Sequence, residues 1–294
     1  MAAVNPVSNG AVEGRSLWVD ARRRLMRNRA AVVAGVILIS MTIAVIVGPW
    51  LVPFDYDFTD WSNIAIAPDL ASGHLFGTDS LGRDLLVRTL HGGRISLLVG
   101  LVATLVSLLI GIAYGATAGY VGGRVDHVMM RIVDILYAMP FMFFVILLMV
   151  LFGRNIVLIF VAIGAINWLD MARIVRGQTL SLKRKEFIEA AEALGTPTIS
   201  IIRRHIVPNL LGVVVVYVTL TIPQVILVES FLSFLGLGVQ EPMTSWGALV
   251  NDGAQEMESA PWLLIFPAVF LAATLFCFNF IGDGLRDALD PKDR

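Results

Sequence analysis

The chain of 294 residues is 57% hydrophobic and only 15% charged, with a mean hydropathy of +0.78. Soluble domains lie near half apolar and a quarter charged, so this composition points to a bilayer. The formal net charge of −1 gives no electrostatic reason to bind nucleic acid, and the single cysteine, Cys277, excludes an intrachain disulfide.

Six stretches are apolar and long enough to span a hydrocarbon core, which takes about 20 helical residues. They run from Ala30 to Leu51, Leu97 to Ala118, Val128 to Leu151, Ile156 to Met171, Leu210 to Val228 and Trp262 to Phe280. The first follows a basic segment, but its apolar part is too long for a signal peptide and no small-x-small cleavage site follows, so a retained span is expected. The expected architecture is all-α and polytopic. Residues 1–29 form an N-terminal segment, 30–52 the first span, 53–96 an outer loop, 97–280 a five-span core with an inner loop over 172–208, and 281–294 a tail.

Lys and Arg set the orientation. With the N-terminus inside, six fall on the inner face before residue 30, two at Arg124 and Arg131, seven from Arg173 to Arg204 and three at the C-terminus. The outer face keeps Arg83, Arg88, Arg94 and Arg154. Both termini and the 172–208 loop are therefore expected in the cytoplasm.

In the outer loop, Thr78 or Asp79 can cap a helix whose residues Leu81, Leu85, Leu86 and Leu90 share a face, and an interfacial helix is predicted there. The second span carries Ala103, Ser107, Gly111, Gly115 and Gly119 every fourth residue, a stripe that lets helix backbones approach closely in lipid. Pro140, Pro223 and Pro267 fall inside the third, fifth and sixth spans and tend to kink them. Charges near spans suggest boundary pairs three residues apart, Arg131 with Asp134 and Asp170 with Arg173. Asn167, Gln224 and Glu229 are candidates for lining a polar pathway, with interhelical hydrogen bonding as the competing role.

The inner loop holds the most informative segment. Phe187 to Gly195 reads as a short helix with adjacent small residues, Ala190 and Ala191, and a glycine placed to cap its C-terminus. Small side chains let such a helix sit deep in a partner's groove, and a helix this short depends on packing. Absent chemistry also decides something. No Gly-Lys-Ser/Thr phosphate loop occurs, the four histidines are scattered, and Ile281-Gly282-Asp283-Gly284 does not match the Gly-x-Gly-Asp of intramembrane aspartyl proteases.

Glu189, Ala190 and Ala191, then Gly195 after three residues and Pro208 thirteen further on, resemble the loop of the permease subunits of ATP-binding-cassette importers; His205 and Val207 stand where that pattern has Ile and Leu. Phe76-Gly77-Thr78-Asp79 through Gly82-Arg83-Asp84, Gly93-Arg94-Ile95-Ser96-Leu97, Phe231 through Gly238, and Gly282 through Pro291 are similar to its peptide-importing branch. Gly14 through Trp18, Asp20 through Arg24, and Trp168 through Ala191 resemble the oligopeptide permeases of Gram-negative bacteria. The resemblance implies the six-span type I permease fold and a coupling role for Glu189, Ala190, Ala191, Gly195 and Pro208. It also implies a heterodimer with a second permease, two ATPase subunits that bind ATP and magnesium, a periplasmic peptide-binding protein, an inner-membrane location, and no cofactor or catalysis in this chain. Dipeptide, nickel or glutathione import by the same branch is the alternative. An ion-coupled secondary transporter would be expected to show mid-membrane carboxylates and inverted repeats, neither of which is clear here.

Overall fold

The computed structural model describes residues 17–152 and 156–289. Gly14–Ser16 and Asp290–Pro291 of the motifs above, and Arg15, Arg154, Lys292 and Arg294 of the charge pattern, lie outside the described residues. The elements are α1 (Leu17–Arg27), α2 (Arg29–Leu51), α3 (Leu85–Val121), α4 (Gly123–Ala138), α5 (Phe141–Phe152), α6 (Ile156–Lys183), α7 (Glu186–Ala193), α8 (Thr198–Ile201), a π-helical turn (Ile202–Ile206), α9 (Val207–Phe234), α10 (Trp246–Gln255) and α11 (Trp262–Leu289). Among the described residues there is one isolated bridge, Thr78 with Asp84, and no strand.

Among the described residues, four helices are long and apolar enough to cross a membrane: Arg29–Leu51, Leu85–Val121, Thr198–Phe234 and Trp262–Leu289. The pair α4 and α5 makes a fifth if counted as one span, bent by 82°. The remaining expected span coincides with α6, 28 residues long with an apolar first half. All-α organisation thus holds, and four or five spans by length and composition among the described residues are compatible with the six expected.

Local chemistry explains most boundaries. Asn28 caps α2 by accepting from the Ala31 amide at 3.2 Å. Asp84 caps α3, its Oδ1 accepting from the Val87 amide at 2.8 Å. The interfacial helix predicted from Thr78 is therefore corrected. Gly77 and Gly82 take positive φ, and the Thr78–Asp84 bridge holds the intervening residues, Leu81 among them, out of helical geometry. Helix begins only at Leu85 and runs unbroken for 37 residues, about 55 Å. Leu85 and Leu90 are buried in the bundle rather than laid along a surface.

Of the three prolines, Pro140 alone breaks its helix. Met139 before it is extended (φ −75°, ψ 129°), as the residue before proline prefers, and the chain turns between α4 and α5. Pro223 and Pro267 remain inside α9 and α11. Over the stretch expected as a tail from residue 281, α11 continues to Leu289, with Gly282 against Leu220 of α9 and Gly284 against Leu25 of α1 and Ala31 of α2.

The small-residue stripe seats α3 against α6 within this chain. At Gly115 an added Cβ would collide with the Ala172 carbonyl and come within 2.9 Å of the Val175 Cβ, and Gly111 and Gly119 face Met171 and Thr179 in the same way. Such approach maximises dispersion contact where lipid offers no hydrophobic driving force. The expected boundary pairs form across helices instead of within them. Arg173 donates to Asp134 at 2.8 Å, Arg176 makes two hydrogen bonds to the Asp126 carboxylate, and the Tyr137 hydroxyl donates to Asp170 at 3.1 Å. Adjacent α4 and α6 bring opposite charges face to face, which serves better than three-residue spacing along one helix.

Candidate coupling surface and buried polar node

The short helix α7 has one face held by the rest of the chain. Ile188 is fully buried and Ala191 is 8% exposed, both in a cluster with Tyr120, Val175, Ile201, Ile206 and Leu210 from α3, α6 and the α8–α9 run. Residues one apart on a helix differ by about 100°, so the adjacent alanines separate. Ala191 faces the chain's own core, while Ala190 and Glu189 face outwards. Phe187, Leu194 and Ile199 extend that outward surface, the last two 86% and 79% exposed.

Gly195 ends the helix as expected. Its φ is +73°, the Thr196 amide donates to the Ala191 carbonyl at 3.1 Å, and the Gly195 amide donates to Glu192 at 2.9 Å. These two bonds are the Schellman arrangement, which needs a residue tolerant of left-handed backbone at the glycine. Nothing lies within 4 Å of a Cβ built there, so backbone conformation alone selects glycine. One polar contact ties α7 to α3, the Tyr120 hydroxyl donating to the Glu192 carboxylate at 2.8 Å, and Lys183 Nζ at the end of α6 donates to the Tyr120 carbonyl at 2.6 Å.

Pro208 stands in the first turn of α9, directly after the π-helical turn. A proline there has no amide to donate, and its ring would press on the carbonyl four residues back. The wider turn removes that conflict, and the Val207 amide donates to Ile202, five residues back.

The pathway candidates are not brought together. Glu229 is fully buried, accepting from Ser96 Oγ of α3 at 3.1 Å and from Ser233 Oγ at 2.7 Å. Ser245, the cap of α10, donates to Ser233 at 3.2 Å, and the Trp246 amide donates to Ser96 at 3.2 Å. Glu229 thus has the interhelical hydrogen bonds given as the competing role, at the centre of a node that joins α3, α9 and α10. Gln224 is exposed on α9, since Pro223 leaves the helix regular and the two side chains diverge. Asn167 is half-buried, its amide donating to the Ile163 carbonyl at 2.8 Å along its own helix.

Sequence reasoning missed a charge network at the bundle end opposite α7. Arg83 donates to Asp79 at 2.7 Å and to Glu241 at 2.9 Å, Arg88 lies 3.4 Å from Asp79, and His74 Nδ1 meets Asp84 at 2.9 Å. Burial pulls the Arg83 guanidinium down, but Asp79 and Glu241 outweigh it and hold it above its ordinary value. Glu241 is 158 positions from Arg83, so no local spacing announces that pair.

Comparison with known proteins agrees with this architecture. Residues 107–294 match the family described as binding-protein-dependent transport system inner membrane component, and residues 16–68 match the N-terminal transmembrane domain of oligopeptide transport permease C. The oligopeptide transport system permease protein OppC of Escherichia coli K12 is 67% identical over 96% of this chain and 94% of its own length. OppC of Haemophilus influenzae is 64% identical over 96% and 91%, and the dipeptide transport system permease protein DppC of Bacillus subtilis is 47% identical over 94% and 86%. The inward-facing MetNI methionine ABC transporter shares the fold, with a TM-score of 0.55 at 19% identity over 70% of this chain and 96% of that one. An all-α chain with several membrane-crossing helices and an anchored, outward-facing short helix is a transport permease subunit. It belongs to the family of inner membrane components of binding-protein-dependent transport systems.

Proposed function

We propose that the chain is one of the two membrane permeases of an ATP-driven oligopeptide importer, forming half of the route across the bacterial inner membrane with both termini in the cytoplasm. The observation that carries this reading is near-full-length identity of about two thirds to OppC proteins of enteric bacteria. In this reading a second permease completes the route, a periplasmic binding protein delivers the peptide, and two ATPase subunits bind ATP and magnesium. This chain performs no chemistry of its own.

The outward surface of α7, with Glu189, Ala190 and Leu194, docks on an ATPase subunit. Ile188, Ala191, Gly195 and the Tyr120–Glu192 bond make α7 move with α3, α6 and α9 rather than alone. ATP-driven approach of the ATPases displaces α7 and biases the bundle between inward- and outward-facing states. The size of that bias equals the difference in ATPase binding free energy between the two states.

The test is uptake of di-, tri- and tetrapeptides by the copurified complex in vesicles, with binding protein in excess. ATP-dependent uptake of tri- and tetrapeptides supports the reading. Uptake confined to dipeptides, the substrate in the name of the Bacillus relative, overturns it in favour of a dipeptide importer.

A further inference from the structure

The pairs between α4 and α6 lie where a bilayer would place hydrocarbon. The apolar run of α3 from Leu97 to Ala118 is about 33 Å long, the thickness of a hydrocarbon core. Within it Gly111 packs on Met171 and Ala172, and Gly115 on Ala172, Val175 and Arg176. Asp170 and Arg173 therefore sit at the depth of the second half of that run, not beyond it. Yet the Arg173 and Asp134 side chains are 41% and 56% exposed, and Tyr137 is 49% exposed. Charged side chains within membrane helices are costly against lipid and face the bundle interior or a water-filled cavity, so this face does not meet lipid.

Helix α4 separates its two kinds of surface. Exposed apolar residues Val128, Ile132 and Ile135 lie about 100–160° around the helix from Asp134, while Asp126, Met130, Asp134 and Tyr137 follow one stripe towards α6. The apolar side suffices for lipid or a partner helix. The polar side is already charge-paired: Arg173 donates to Asp134, its guanidinium stacks 4.4 Å over the Tyr137 ring, and Tyr137 donates to Asp170. It needs no complementary charge from another subunit. A cavity of about 260 Å³ lined by Asp126, Met130, Asp134 and Arg176 continues the stripe towards the α7 end.

We propose that Asp134, Tyr137, Asp170 and Arg173 form a water-facing wall of the peptide route in the half of the membrane nearest α7; the substrate class rests on the oligopeptide reading above. Carboxylate acceptors alternate there with guanidinium and phenol donors. A peptide of any sequence presents backbone donors and acceptors and two charged termini, and such an array meets all of them without a side-chain pocket. The wall therefore takes peptides by their shared backbone and termini, and Asn167, Gln224 and Glu229 are not its members.

The test uses the assembled transporter with Cys277→Ala removing this chain's only cysteine, and single cysteines at Tyr137, Met130 and Ile135. A membrane-impermeant thiol reagent is applied from the α7 side, with and without ATP. Tyr137→Cys or Met130→Cys is expected to react at least about tenfold faster than Ile135→Cys, because a thiolate forms only where water reaches it. Turnover with trialanine and binding protein is expected to slow that reaction. If both polar-face cysteines react no faster than Ile135→Cys in either nucleotide state, the face is covered by the second permease and the proposal fails. Fast labelling untouched by trialanine, in a complex that transports it, also overturns a peptide-contacting wall. If the complex takes up no peptide, the import reading fails, and the labelling contrast alone still decides whether this face meets water.

Discussion

The Tyr120 hydroxyl at the end of α3 donates to the Glu192 carboxylate on α7 at 2.8 Å, tying the proposed docking element to a 37-residue helix of the bundle. Tyr120→Phe keeps the ring, and with it the Lys183 Nζ stacked 5.2 Å away, but removes this bond. A hydrogen bond to a charged group contributes about 1.5–3 kcal/mol, and the apolar contacts of Ile188 and Ala191 remain, so the variant is expected to assemble. It is expected to hydrolyse ATP with fewer peptides moved per ATP, measured as the ratio of uptake to phosphate release in reconstituted vesicles.

Gly195→Val and Gly195→Ala separate backbone strain from crowding. Left-handed geometry costs an L-residue about 1–2 kcal/mol, more for a β-branched one, and there is open space around the position. Gly195→Ala is expected to lower ATPase copurification slightly and Gly195→Val strongly, at equal membrane abundance. Equal loss with both would mean the side chain collides with a docked partner instead.

Gly115→Leu inserts four carbons between α3 and α6, where an added Cβ alone already meets the Ala172 carbonyl. The helices must part, and lipid contact gives no apolar gain in return. The yield of assembled complex is expected to fall several-fold, whereas Gly177→Leu on α6, with nothing within 4 Å, is expected to be tolerated. Blue-native gels of membranes at matched expression measure both.

Glu229→Gln and Glu229→Leu test the node. The amide of Gln can still accept from one serine and donate to the other, so uptake is expected to change by less than about tenfold, roughly 1.4 kcal/mol, for cationic, neutral and anionic tripeptides alike. Leu leaves the hydroxyls of Ser96 and Ser233 buried without their acceptor, at about 1–3 kcal/mol each. Loss of assembly is the expected result, read by copurification of the second permease.

Much of the architecture was legible because it is written in local pattern. The apolar runs mark the helices, the four-residue stripe on α3 marks its close contact, and Gly195 marks the end of α7 through a conformation that only its own neighbours need. What escaped depends on partners distant in sequence. Thr78 looks as good a cap as Asp84 until the bridge between them is known, and Arg173 finds Asp134, 39 positions away, only once α4 and α6 are side by side. Proline alone does not tell a break from a tolerated passenger. Pro140 bends the chain, whereas Pro223 is buried in a helix that continues through it.

The run from Thr198 to Phe234 is one helix of 37 residues, about 55 Å, and both of its ends are committed. Ile201, Ile206 and Leu210 at one end share a cluster with Ile188 and Ala191, and Glu229 and Ser233 at the other bind α3 and α10. Such a rod has no slack in which a displacement can be lost. In the proposed coupling, a push on α7 would reach the far face as a translation or tilt of the same piece. The cost of this stiffness is that a fault anywhere along its length is felt at both faces of the membrane.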